Sequence, residues 1–88
     1  MTNEEIVEAL KSAFCKAQLP HPGFTEGPYE ALGFLSEEHG EVTKAITKGE
    51  GKRRMQEELI DLIVVAWRML RGDHERPDCD CAKGGGQC

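Results

Sequence analysis

Glu37, Glu38 and Glu41, answered after sixteen intervening residues by Glu58 and Asp61, are the side chains of this sequence best suited to chemistry. Separations of three and four residues bring helical side chains onto one face, so Glu37 and Glu38 each share a face with Glu41, as Glu58 does with Asp61. Like charges so placed weaken a helix by about 0.2–0.5 kcal/mol per pair unless a cation neutralises them. Four hard oxygen donors on facing helices, Glu38, Glu41, Glu58 and Asp61, suit magnesium, or manganese, with waters and phosphate oxygens completing the shell. The plainer alternative is a solvated acidic surface, which suffices for a lone E-x-x-E. It fits less well an E-x-x-D on the polar strip of an otherwise apolar helix, where an unneutralised pair is costly. A di-iron centre needs an E-x-x-H pairing, and His39 instead follows Glu38 directly, so that use of the carboxylates falls away.

The elements that must position these groups are helices. Thr2 and Glu5 have capping-box spacing, and Ile6, Val7, Leu10, Ala13, Phe14 and Ala17 recur at helical intervals, predicting a first helix to about residue 19. Pro20, Pro22, Gly23 and Gly27 then make residues 20–27 a loop, and Pro28 suits the first turn of a second helix. That helix is expected over about 28–48, burying Leu32, Leu35, Val42, Ala45 and Ile46 and stopping at Gly49 and Gly51. Gly33 and Gly40 inside it each cost about 1 kcal/mol, either simply tolerated or permitting close approach of a neighbour. The third helix, about 52–71 and ended by Gly72, is apolar around most of its circumference, while Arg54, Glu58, Asp61 and Arg68 form one polar stripe. No strand pattern occurs. The expected fold is all-α: a domain over residues 1–72, an antiparallel bundle of three main helices whose core is completed by oligomerisation. Residues 73–88 read as a flexible tail containing Cys and Gly. A zinc site from His74, Cys79, Cys81 and Cys88 matches common spacings poorly.

Size and charge narrow the function. A chain of 88 residues forms one small domain, for which a partner chain, a metal or disulfides supply missing stability. Sixteen acidic against eleven basic residues, a net charge of -5, disfavour a nucleic acid polymer or an acidic membrane surface. A small phosphorylated ligand arriving with its own divalent cation remains compatible. The acidic N-terminus lacks a secretory pattern, and the longest apolar run, Leu62 to Trp67, is too short to span a bilayer. The cysteines do not form the framework of a secreted scaffold, so a cytoplasmic location is expected.

Glu37-Glu38-x-x-Glu41 followed by Glu58-x-x-Asp61, within Leu35 to Ile46 and Glu57 to Ile63, resembles the bipartite signature of the MazG-like, all-α nucleoside triphosphate pyrophosphohydrolases. The resemblance covers roughly residues 28–71. It implies a bundle formed by at least a dimer, magnesium bound by Glu38, Glu41, Glu58 and Asp61, and cleavage of a nucleotide between its α and β phosphates. This chain offers little further helix after Gly72, unlike longer members.

On that reading, water attacks the α-phosphorus in line and pyrophosphate leaves. Glu37 and Glu38 are the catalytic candidates; Glu37 could be a further ligand, a base for the water, or a surface residue. Lys44, Lys48, Arg54 and Arg68 are candidate phosphate contacts, the two arginines sharper because a guanidinium clamps phosphate oxygens in pairs. Phe34, with His21 and Phe24, is the candidate surface for the base. The expected partners are therefore a nucleoside triphosphate and further copies of the chain, as a homodimer or homotetramer. The alternative from another class is a non-catalytic helical dimerisation or partner-binding module with the same fold.

Overall fold

A computed structural model describes residues 1–18 and 24–75. Three α-helices dominate: α1 (Asn3–Gln18), α2 (Pro28–Thr47) and α3 (Lys52–Arg71), followed by a short 3-10 turn, Asp73–Glu75. The described residues contain no strand, so the all-α expectation holds. His21, Cys79, Cys81 and Cys88 lie outside the described residues, and with them the zinc alternative and most of the expected tail.

Each helix begins and ends for a local reason. At the start of α1 the Thr2 N–H donates to Glu5 Oε1 at 2.7 Å and the Glu5 N–H donates to Thr2 Oγ1 at 3.1 Å, the reciprocal capping box. Pro28 opens α2 without losing a bond, since the first helical N–H has no partner within the helix. α2 closes as a Schellman motif: Gly49, at φ +64°, donates to the Ile46 carbonyl at 3.2 Å, and Glu50 donates to that of Ala45 at 3.0 Å. Gly72, at φ +81°, ends α3 in the left-handed region by bonding back to Met69. By contrast, a Cβ added at Gly33 or Gly40 meets nothing within 4 Å among the described residues, so neither serves a close approach between the helices described.

Between α1 and α3 lies an apolar cluster centred on Phe14 and Val64, with Leu10, Ala13, Ala17, Ile60 and Trp67 packed against it. The Phe14 and Trp67 rings are 4.9 Å apart, and the Arg71 guanidinium lies 4.8 Å over Phe14. The inward line of α2 runs Ala31, Leu35, Glu38, Val42, Ala45, steps of four and three that keep one stripe on the interior side. That line differs from the expected one at two places. Leu32 and Ile46, expected to be buried, are 51 % and 56 % exposed, because they belong to the next line of α2 and turn outward. Ile63 and Leu70, separated by seven on α3, are exposed as well.

The helical unit continues past Gly72. Asp73 is 1 % exposed, and Arg68 Nε donates to its Oδ2 at 3.2 Å, with Arg71 Nε 3.5 Å from Oδ1. Residue 73 is thus packed against the end of α3. No helix among the described residues is long and apolar enough to cross a membrane.

Candidate metal centre

The inward line of α2 carries a charge in its middle, at Glu38, where a heptad-like stripe ordinarily carries an apolar residue. The polar line of α3, Arg54, Glu58, Asp61, Val65 and Arg68, repeats the same steps of four and three. Packing α2 against α3 brings the two lines together. One carboxylate oxygen from each of Glu38, Glu58 and Asp61 lies within 4.8 Å of the others. Opposite ligands of octahedral magnesium stand about 4.2 Å apart, so this trio is close to a chelating arrangement. Its donors are all carboxylate oxygens, without imidazole or thiolate, a set that fits magnesium or manganese.

Crowding shows in the electrostatics. Burial pushes the Glu38 carboxyl above the ordinary glutamate range, and the charges of Asp61, Glu58, Glu41 and Glu37 add to that shift in decreasing order. Asp61 is also raised, chiefly by burial, with Arg54 opposing and Glu57 adding. Glu58 is 5 % exposed, and Arg54 Nη2 stands 2.9 Å from its Oε1. Arg54 lies 3.9 Å from Glu50 and 3.7 Å from Glu57 as well, so one guanidinium serves three carboxylates. A site that holds three converging carboxylates with one arginine at its edge retains surplus negative charge, which a divalent cation would offset.

The other sequence candidates are distributed around this trio. Glu41 and Glu37 are exposed on α2 outside it, near enough to act on the Glu38 charge. His39 is exposed and also stands outside it.

Beside the trio opens a cavity of about 260 Å³ lined by Phe24, Phe34, Ala13, Ala17, Val64 and Val65, with Glu38, Asp61 and Arg68 on its wall. The Phe24 and Phe34 rings are 6.3 Å apart. Phe24 holds φ +58°, an uncommon conformation for a bulky residue and a local strain borne at the cavity wall. Arg68 is 2 % exposed, paired with Asp73 and stacked 4.7 Å from the Phe24 ring centroid. Lys44 and Lys48 are exposed on α2 and line no part of this cavity.

Sequence reasoning missed Asp73, the partner of Arg68, and the contribution of α1, whose Ala13 and Ala17 form the cavity wall. The available signals were the position of Asp73 directly after the helix-ending Gly72 and the small residues spaced by four on α1. No protein-family model, curated protein or solved structure matches this chain.

Proposed function

We propose that the chain is a MazG-like, magnesium-dependent nucleoside triphosphate pyrophosphohydrolase. The observation that carries the reading is the convergence of Glu38, Glu58 and Asp61, from two helices, beside a cavity walled by two phenylalanine rings. Glu38, Glu58 and Asp61 hold the metal, magnesium or manganese, with Glu41 one turn from Glu38 as the fourth ligand. When bound, the metal supplies charge neutralisation on the phosphate oxygens and a lowered pKa for water. The Phe24 and Phe34 rings receive the base. Glu37 takes the proton of the water that attacks the α-phosphorus; the new P–O bond forms as the α–β bridge breaks, and pyrophosphate leaves with the bridging oxygen. Arg54, half exposed, is the arginine able to turn from the carboxylates to a phosphate. Lys44 and Lys48 are the outer cations on α2. Arg68 holds the Phe24 ring in place from its pair with Asp73.

The bundle is antiparallel in this reading, and a homodimer or homotetramer covers its outward apolar lines, Leu32 and Ile46 on α2 and Ile63 and Leu70 on α3. A cytoplasmic location accords with an intracellular nucleotide substrate. The same outward residues favour the second reading, a partner-binding module without catalysis.

Incubation with a panel of ribo- and deoxyribonucleoside triphosphates plus magnesium tests the proposal through its products. Pyrophosphate and nucleoside monophosphate are expected, lost by at least about 100-fold in a folded Asp61→Asn variant. Orthophosphate with diphosphate rejects the mechanism, and no product across the panel favours the binding module.

A further inference from the structure

A second concavity, also lined by Asp61, lies between α1 and the first half of α3, with a volume of about 720 Å³. Lys16, Arg53 and Arg54 line it, with Ser12 and Gln56 as neutral polar groups. Asp61, Ala13 and Ala17 line both this groove and the aromatic cavity, so the two adjoin at Asp61, one member of the acidic trio. We propose that this groove is the subsite for the terminal phosphates, with Lys16 and Arg53 as their contacts. A nucleoside triphosphate then lies with its base between Phe24 and Phe34, its inner phosphates at the trio, and its β- and γ-phosphates along α1. The inference rests on the pyrophosphohydrolase reading and fixes the polarity of the substrate in that site.

Charge decides the direction. In a chain of net charge -5, Lys16, Arg53 and Arg54 line this groove with Glu57 and Asp61. Arg54 is engaged by Glu50, Glu57 and Glu58, which makes Lys16 and Arg53 the cations offered to a ligand, and a metal at the trio would engage Asp61. Among the described residues Arg53 pairs with Glu57 at 3.9 Å and its side chain is 93 % exposed, a solvent-screened pair that rearranges at little cost. Lys16 is exposed in the last turn of α1 and makes no salt bridge among the described residues. Its three donors suit a phosphate as a point charge, while the Arg53 fork suits paired oxygens. The opposite polarity is disfavoured on the same grounds. It places a polyanion against Phe24, Phe34 and Val64, where the cation on the wall, Arg68, is already paired with buried Asp73.

The test uses inorganic triphosphate with magnesium, titrated calorimetrically into the full chain and into a Lys16→Gln, Arg53→Gln double variant. Both positions are exposed, so the variant keeps its fold, checked by its helical circular dichroism and melting temperature. Binding is expected to weaken at least about tenfold. Affinity for nucleoside monophosphates should stay within about twofold. Lys16→Arg with native Arg53 should bind as the wild type does, and Lys11→Gln on the same helix should have no effect. Unchanged triphosphate binding in the double variant overturns the inference, as does an equal loss for monophosphates or a wild-type chain that does not bind inorganic triphosphate. These outcomes are separable from failure of the parent reading, which shows as absence of pyrophosphate and monophosphate from the nucleotide panel.

Discussion

Arg54 reaches one helical turn along α3 to place Nη2 2.9 Å from Oε1 of the nearly buried Glu58, setting a guanidinium at the rim of the Glu38, Glu58, Asp61 cluster. The contact neutralises part of the cluster, and a divalent cation bound there would compete with it for the same carboxylate. Arg54→Gln is therefore expected to act in opposite directions with and without metal. Without it, Glu58 loses its cation and the fold loses about 1 kcal/mol. With manganese, relief of cation–cation repulsion tightens binding by about fivefold. Thermal melts across a manganese titration check both effects; a variant with weaker manganese binding contradicts the competition.

Glu38 gives the metal-free protein a pH dependence of definite sign. Its carboxyl is raised in the folded chain, first by burial and then by Asp61 and its other acidic neighbours, and Asp61 is raised too. Over the window from the ordinary carboxylate range up to the raised values, the folded state holds more protons than the unfolded state. Stability in that window falls as pH rises. The melting temperature of chelator-treated protein should thus decline as pH rises through that window. Glu38→Gln should flatten the decline and raise the neutral-pH melting temperature by about 2 °C, a small gain because the group is only half-buried. Saturating magnesium should also remove the decline, while acidification weakens magnesium binding.

The Arg68 and Asp73 pair closes the domain after α3, with both side chains almost inaccessible. Removing one partner takes a buried charge out of its ion pair. Asp73→Ala should cost about 3–5 kcal/mol, a large part of the stability of a domain this small. Urea unfolding of the double variant Arg68→Met, Asp73→Leu should recover most of that loss, since both buried charges are removed and Arg71, which also faces Asp73, is partly exposed. A chain truncated after Gly72 should resemble Asp73→Ala in stability.

The outward lines of α2 and α3 carry the prediction for assembly. Leu70 is 88 % exposed, and Leu32, Ile46 and Ile63 lie open as well. Light scattering should find twice or four times the chain mass. Ile63→Lys combined with Leu70→Glu should return the single-chain mass while leaving helical circular dichroism in place. A wild-type chain that stays monomeric at about 100 μM rejects oligomerisation as the cover for this face.

Much of this protein was legible along the chain because the relevant forces are local. Thr2 and Glu5 cap α1, Pro28 opens α2, and Gly49 and Gly72 end their helices within one turn of where the residues themselves dictate it. The pairing of Glu58 with Asp61 on one helical face follows from the 3.6-residue period alone. Rotation of a helix about its axis follows from no local rule. Leu32 and Ile46 differ from the buried Ala31 and Ala45 by a single step, and only packing against α3 selects which line turns inward.

The sequence by itself determined three helices, their caps and two acidic pairs at helical spacing, since each depends on residues within about four positions of one another. Only the tertiary structure decided which carboxylates meet. It gathered Glu38 with Glu58 and Asp61 and left Glu41 outside that trio. It also drew Arg68 inward onto Asp73 and Phe24, and set the small residues of α1 against both concavities. The physical reason is that separations between helices are fixed by side-chain packing and by the cost of burying charge, quantities that depend on neighbours distant in the chain.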